Sequence, residues 1–298
     1  MTKKTLAGIL SELRERRGFD AKSFLARKLI RINNWFLEHG IDSCVIGVSG
    51  GIDSAVAVAL LSKAAKLPAS PIKGVLALSI PIYNAGTTGQ KEATDCAWLA
   101  TRQLNNVDYK IVDISDAFGS VANASQKKED GVHKFYSEWV LGQLAPIMRT
   151  PVVYYHAAEL QARGYKSVVA GTINRDEGAY IGYFGKASDA TVDIQLLHDL
   201  HKSEVMALAR LLEVPNGIVG RAPTGDVFDG KTDGELIGAP YWFIELYQLI
   251  REYDYKICPW VELSLEEARQ FCEFQTVLDA LHAKNKHKYQ VGHPSFHI

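Results

Sequence analysis

Residues 44–67 read CVIGVSGGIDSAVAVALLSKAAKL, and three signals follow one another within them. CVIGVS is short, β-branched and closed by a glycine turn, whereas SAVAVALLSKAAKL is rich in alanine and leucine, with its lysines toward the C-terminal end. Strand, glycine turn and helix form the opening unit of an α/β fold. The unit recurs downstream: KGVLALSI (73–80) reads as a strand, TGQKEATDCAWLATRQL (88–104) as a helix, YKIVDI (109–114) as a strand, PVVYYHAAELQARG (151–164) as a helix and KSVVAG (166–171) as a fourth strand. Strands joined by helical crossovers predict a doubly wound, mostly parallel sheet flanked by helices, Rossmann-like in its winding.

Around this frame the periodicity is uneven. Lys28 to Phe36 reads as the end of an amphipathic helix stopping at Gly40, and residues 115–142 read as extra helical material with a solvated run at Gln126–Asp130. Residues 171–197 and 220–238 are rich in Gly, Asp and Thr, lack helical spacing, and carry mixed aromatic and charged residues, which is the composition of functional loops. Residues 239–253 and 264–286 read as two helices, followed by a polar tail. No repeat or linker divides the chain, so residues 1–298 are expected to form one domain.

With Lys+Arg 33 against Asp+Glu 34, the formal net charge is -1, so no overall basic excess points to a nucleic-acid backbone. No stretch approaches the ~18 uninterrupted apolar residues of a membrane span. Cys44, Cys96, Cys258 and Cys272 form no C-x-x-C pair, and the first residues do not resemble a secretion signal, which points to the reducing cytoplasm.

A turn of Ser49-Gly50-Gly51 after a parallel strand aims backbone N–H groups into one concavity, and the helix that follows adds the positive end of its dipole. Glycine lets the backbone visit positive φ and approach a ligand closely. Ser49 and Ser54 add hydroxyls. The turn lacks the lysine that a Walker A loop sends to the terminal phosphates, and it lacks the G-x-G-x-x-G order of a dinucleotide fingerprint. Asp53 beside bound phosphate calls for an intervening cation, for which Mg²⁺ is the natural choice. The competing role for Asp53 or Ser54 is simple helix capping.

The string SGGIDS after an apolar strand resembles the signature of the N-type ATP pyrophosphatases, adenylating enzymes that split ATP between its α- and β-phosphates. Within that superfamily, VVAGTINRDEGAYIGYFGKASDATVDI, LHDLHKSEVMALARLLEVP and APTGDVFDGKTDGELIG are similar to blocks of the NAD+ synthetases. The likeness runs from Ile30 to Lys288 and is strongest over 47–54, 168–240 and 285–291. It implies synthesis of NAD+ from nicotinic acid adenine dinucleotide, ATP and ammonia through an acyl adenylate, by a homodimer of one α/β domain without a glutaminase domain. It further implies ATP contacts from Gly47, Val48, Ser49, Gly50, Gly51, Ile52, Asp53, Ser54, Thr172, Lys202 and Thr224, and metal ligation by Asp53 and Glu177. Lys186, Asp193, His287 and Lys288 match residues that hold the deamidated dinucleotide, and Asp53, Lys186 and Asp193 would stand at the reacting centre. Asp193 is the candidate for orienting ammonia or receiving its proton. His198 and His201, around Asp199, lack a third ligand at metal-site spacing.

The chain departs from these relatives in places. GTINRDE carries Ile173 where most have glycine, and the segment 177–186 is longer than usual. The relatives' Ala-Arg-x-Arg string, whose first arginine touches the dinucleotide, aligns with Pro146-Ile147-Met148-Arg149, leaving Arg149 as the candidate substitute. Two alternatives stand beside the synthetase: another adenylating enzyme with a different acceptor, such as one acting in tRNA thiolation, and a non-catalytic nucleotide sensor. The first calls for a cysteine pair and a basic surface; the second would not need Asp53, Glu177, Lys186 and Lys202 together.

Overall fold

A computed structural model describes residues 3–83, 89–125, 138–220 and 232–289. Five parallel strands, β1 (Ser43–Gly47), β2 (Gly74–Ser79), β3 (Asp108–Ile111), β4 (Ser167–Gly171) and β5 (Ile194–Gln195), form one sheet in the order β3-β2-β1-β4-β5. The helices in chain order are α1 (Leu6–Arg17), α2 (Ala21–Glu38), α3 (Ile52–Ala65), α4 (Gln90–Thr101), α5 (Ser115–Ala124), α6 (Glu138–Ala162), α7 (Arg175–Gly178) and α8 (Lys202–Leu211). They continue as α9 (Asn216–Val219), α10 (Asp233–Ile237), α11 (Tyr241–Glu252), α12 (Pro259–Glu262) and α13 (Leu265–Asn285). All four expected strands are present, and the doubly wound parallel sheet is the observed architecture. The strand β5 and the short α7 and α10 lie inside stretches that looked like loop, because elements of two to five residues carry too few side chains to show a period.

The strand order reverses between β1 and β4, which pair in register from Ser43 with Ser167 to Ile46 with Ala170. Such a switch point opens a crevice beyond the carboxyl ends of the two strands. Beyond their first residues, Ser43 and Ser167, both strands carry no polar side chain, because helices cover both faces. On one face α2, α3 and α8 pack through Phe36, Val56, Leu60, Leu61 and Leu208, all fully buried. Eleven of the residues of α3 are buried, so this helix is apolar all round rather than striped. On the other face α5 and α6 pack Phe118, Ala145 and Ala157 against Val45, Leu78 and Val169. The helix α6 runs well upstream of the expected start at Pro151 and holds Pro146 and Pro151 within it.

A third cluster joins α1, α11 and α13 around Phe243, Leu246 and Leu278. The helix α1, whose mean hydropathy is low, was not apparent in the sequence, yet Leu6, Ile9, Leu10 and Leu13 are all at least 94% buried. Each such side chain contributes about 1.5–3 kcal/mol at most, so α1 is held by its apolar face. This helical layer touches α7 and α8, which brings α11 to the rim of the crevice. Among the described residues no helix is long and apolar enough to cross a membrane.

Candidate active site

The turn after β1 leads directly into α3, as expected, and two of its three N–H groups, those of Ser49 and Gly51, are bonded to serine hydroxyls within the turn. Gly50 has φ +83, and a Cβ on it would run into the Ala93 carbonyl of α4, so this glycine is needed for a neighbour's approach as well as for its own conformation. Gly51 is the N-cap of α3, and no side chain caps that helix; capping is therefore not the role of Asp53 or Ser54. Ser54 is 3% exposed and braces the turn, accepting from the Ser49 N–H at 3.2 Å and donating to the Gly51 carbonyl at 3.0 Å. The Ser49 hydroxyl accepts from the Gly51 N–H at 3.3 Å. Gly47 ends β1; Val48, just past it, is buried and donates its N–H to the Leu78 carbonyl, while Ile52 turns into the core.

Asp53, in the first turn of α3, meets Glu177, carried by α7 just past β4, across the switch point. Asn174 joins them: its amide donates to Asp53 Oδ1 at 3.1 Å and to Glu177 Oε1 at 2.8 Å, while its own oxygen accepts from the Glu177 N–H at 3.1 Å. Asn174 is fully buried. Tyr241, from the start of α11, donates its hydroxyl to Glu177 Oε1 at 2.8 Å. Lys202, the first residue of α8, pairs with Asp53 Oδ2 and lies 3.9 Å from Glu177 Oε1, with its ammonium 4.9 Å from the centre of the Tyr241 ring.

The charges explain the protonation behaviour. Burial and the neighbouring charge of Asp53 push the Glu177 carboxyl up to about 8, with Lys202 opposing but not cancelling them. Burial disfavours the Lys202 ammonium, yet the charges of Asp53 and Glu177 outweigh it and raise its pKa. Burial beside Glu177 raises the Tyr241 hydroxyl well above its ordinary value, so it remains a donor. Two carboxyl groups therefore crowd one ammonium in a crevice, an oxygen-lined group suited to an additional hard cation once Glu177 gives up its proton.

Lys202 is itself anchored. Asp176, fully buried, accepts from the Lys202 N–H at 2.7 Å and from His201 Nδ1 at 2.6 Å. This accounts for His201, which is also fully buried. His198 lies against Gly178, where a Cβ would meet its ring. Ile173 is 6% exposed and packs beside the same glycine.

The other expected residues are more dispersed. Thr172 directly follows β4 and is half-buried. Lys186 is exposed, and its carbonyl accepts from Thr191. The Asp193 carboxylate accepts from the Val169 N–H at 2.7 Å, halfway along β4, rather than joining the Asp53 group. Arg149 directs its guanidinium to the Ile80 carbonyl at 2.9 Å and to Gln90 at 3.4 Å, tying the end of β2 to α4. Lys288 caps the carbonyls of Gly182 at 2.9 Å and Phe184 at 2.7 Å, beside Asn285 on the Ile181 carbonyl, so the tail holds the loop that leads to Lys186. His287 is exposed. Thr224 lies outside the described residues.

Asn174, Asp176 and Tyr241 are the site residues that sequence reasoning missed. Asn174 had a local signal, since N-x-x-E is a capping box and that box is formed with Glu177. Tyr241 had none, because it arrives from 64 residues away.

The profile of a family described as NAD synthase matches residues 26–291. An NH(3)-dependent NAD(+) synthetase of Methanococcoides burtonii is 33% identical over 206 residues, which span 69% of this chain and 70% of that protein. Among solved structures, the NMN synthetase from Francisella tularensis superposes with a TM-score of 0.72 at 26% identity, covering 93% of this chain and 100% of the other. The NAD+ synthetase from Burkholderia pseudomallei superposes with a TM-score of 0.64 at 23% identity, covering 96% of both, and shares the fold.

Proposed function

The chain belongs to the NAD synthase family, ligases that form a C–N bond, and from that premise we propose that it amidates nicotinic acid adenine dinucleotide to NAD+ with ATP and ammonia. The observation that carries the proposal is the group of Asp53, Glu177, Asn174 and Lys202 at the switch point, adjoining the glycine turn. A carboxylate oxygen of the acceptor attacks the α-phosphorus of ATP, and the bond from that phosphorus to the bridging oxygen breaks, releasing pyrophosphate. Ammonia then adds to the acyl carbon of the adenylate, AMP leaves with the C–O bonding pair, and the nitrogen loses its proton.

Residues of the chain have separate tasks in these steps. The Gly50 amide and Lys202 are assigned to the pyrophosphate, whose charge develops as it leaves, while the Ser49 and Gly51 amides brace the turn on the Ser54 and Ser49 hydroxyls. Asp53 and Glu177 are assigned to Mg²⁺. The fit rests on their oxygen donors, on their crowding, which holds Glu177 up to about 8, and on the habit of Mg²⁺ of taking one or two carboxylates with substrate phosphates. Bound there, Mg²⁺ offsets charge on the triphosphate. Thr172 and Thr224 are assigned to ATP; Lys186, Asp193, His287 and Lys288 to the acceptor. With Asp193 engaged on β4, positioning of ammonia and exclusion of water carry the second step better than a strong base does.

We further assign the reaction to the cytoplasm and the working unit to a homodimer. Supporting the dimer is an apolar hollow between β3 and α6, lined by Lys110, Val112, Pro151, Val152, Tyr155 and His156, beside which Ile111 and Tyr155 are 50% and 67% exposed.

The test is incubation of the protein with ATP, Mg²⁺, ammonium and nicotinic acid adenine dinucleotide. Equal amounts of NAD+, AMP and pyrophosphate are expected; ADP and phosphate, or no turnover, would refute the proposal. A second reading is favoured by the likeness to the Francisella NMN synthetase and by the inward engagement of Arg149 beside the apolar Ile147 and Met148. On that reading the acceptor is nicotinic acid mononucleotide. The same assay with both acceptors separates the two by their kcat/KM ratio.

A further inference from the structure

We propose that Arg17, on the N-terminal helix α1, is a positioning residue for the nucleotide site because it fixes the turn from which Lys202 projects; the inference rests on the adenylation chemistry above. The helix α1 precedes residues 26–291, to which the family profile extends, yet its last turn reaches the start of α8. Arg17 grips Glu204 with Nε at 2.5 Å and Nη2 at 3.1 Å, and Nη2 also donates to the Asp199 carbonyl at 2.8 Å. Glu204 in turn accepts from the His201 N–H at 2.9 Å. One guanidinium thus ties residue 199, ahead of the helix, to residue 204 in its first turn. His201 and Lys202 lie between those two attachments. Lys28 of α2 adds a 2.7 Å bond to the Asp199 carboxylate, and Asp176 holds the His201 ring and the Lys202 N–H from the opposite side.

The residue types suit this role. Glu204 is 5% exposed, and a buried carboxylate is best satisfied by two parallel N–H groups held in one plane. Arginine supplies that fork, whereas lysine supplies a single point charge. Position matters because the Lys202 ammonium is packed among Asp53, Glu177 and the Tyr241 ring, so a shift of its turn moves the cation relative to both carboxylates. Arg14, one turn earlier on α1, provides an internal control. It forms the same two-bonded pair with buried Glu245, at 2.7 and 2.6 Å, but Glu245 stands on α11 rather than on the turn that carries Lys202.

The experiment compares full-length Arg17→Met and Arg14→Met by thermal melting, calorimetric ATP affinity, and kcat and KM for ATP and for the acceptor. Both variants should melt lower than wild type. At a temperature where both are folded, Arg17→Met is expected to weaken ATP binding and lower kcat/KM for ATP by about 10- to 100-fold, the scale of a displacement near 1 Å in a catalytic group. Arg14→Met should stay near wild type in both. In the double variant Arg17→Met/Glu204→Gln, the unpaired buried charge is gone, so the melting temperature should recover while the ATP affinity does not. Equal losses in the two single variants, or ATP affinity regained together with stability in the double variant, would make Arg17 a purely structural ion pair and overturn the proposal. Absence of turnover by the wild type sinks the adenylation chemistry alone, and the ATP affinities of the variants still decide the role of Arg17.

Discussion

Asn174 offers the most direct probe of the carboxylate group, because two substitutions separate its functions. Asn174→Ala removes the side-chain cap of α7, about 1 kcal/mol, and two N–H bonds to carboxylates, about 1.5–3 kcal/mol each when taken singly. Tyr241 and Lys202 still contact the same carboxylates, so the losses are not additive, and a total of about 3 kcal/mol is expected. At about 2–4 °C per kcal/mol for a large domain, the ligand-free protein should melt roughly 6–12 °C lower. Asn174→Asp keeps the shape and the capping oxygen but sets a third carboxyl against Asp53 and Glu177, at the positions where the amide now donates over 3.1 and 2.8 Å. Against the Asp53 carboxylate at about 3 Å the new charge would cost about 5 kcal/mol at an effective dielectric of ~20, so the new carboxyl should retain its proton in the native state. Its folded pKa then lies above the unfolded value of about 3.9, and between those two values only the native state binds the proton. Stability therefore falls as pH rises, by about 1.4 kcal/mol per unit. Thermal melts from pH 5 to 8 read this directly: Asn174→Asp should approach wild type at the acid end and diverge at the alkaline end, whereas the deficit of Asn174→Ala should be less dependent on pH. Parallel curves for all three proteins, or undiminished pyrophosphate release by either variant, would refute the account of Asn174 as the clamp between the carboxylates.

Further outcomes follow from the same geometry. Lys202→Met should lower turnover by about 100-fold or more, the scale of losing a charge-stabilising donor. It should also bind Mn²⁺ alone more tightly than wild type, since no ammonium competes for Asp53 and Glu177; paramagnetic resonance of free Mn²⁺ measures this, and unchanged affinity would count against the shared site. Because Glu177 is held up to about 8, the ligand-free native state keeps a proton that the unfolded chain loses near pH 4.3, so its stability should decline as pH rises across that window. Mg²⁺ with ATP displaces that proton, and its stabilisation in thermal melts should be larger at pH 8 than at pH 6; equal shifts would contradict the assignment. Gly50→Ala should cost about 1–3 kcal/mol from backbone strain alone, with weaker ATP affinity as α4 is pushed aside, read by melting and calorimetry.

Legibility in the sequence followed the range of the interactions. The strand and helix at 44–67 announce themselves because each depends on neighbouring residues, and Asp53 stands out because a carboxylate at a phosphate turn is electrostatically odd without a cation. Asn174 was legible as a capping residue but not as a clamp, since its second partner lies 121 residues away. Arg149, a candidate for the acceptor by resemblance, also donates to the Ile80 carbonyl, a partner 69 residues away that no local pattern reveals. The helix α1 was missed altogether: its polar residues dilute the apolar stripe, and Arg14 and Arg17 acquire meaning only from buried glutamates more than 180 residues downstream.

By itself, the sequence determined the parallel α/β frame and the glycine turn, because local backbone preference and short-range periodicity specify these, and its resemblance to the NAD+ synthetases pointed to the acidic residues Asp53 and Glu177 that follow β1 and β4. Tertiary structure alone decided that the strand order reverses between those two strands. That reversal brings Asp53, Glu177, Lys202 and Tyr241 from four separate elements into one crevice, where burial and mutual charge, which no local pattern encodes, set their chemistry.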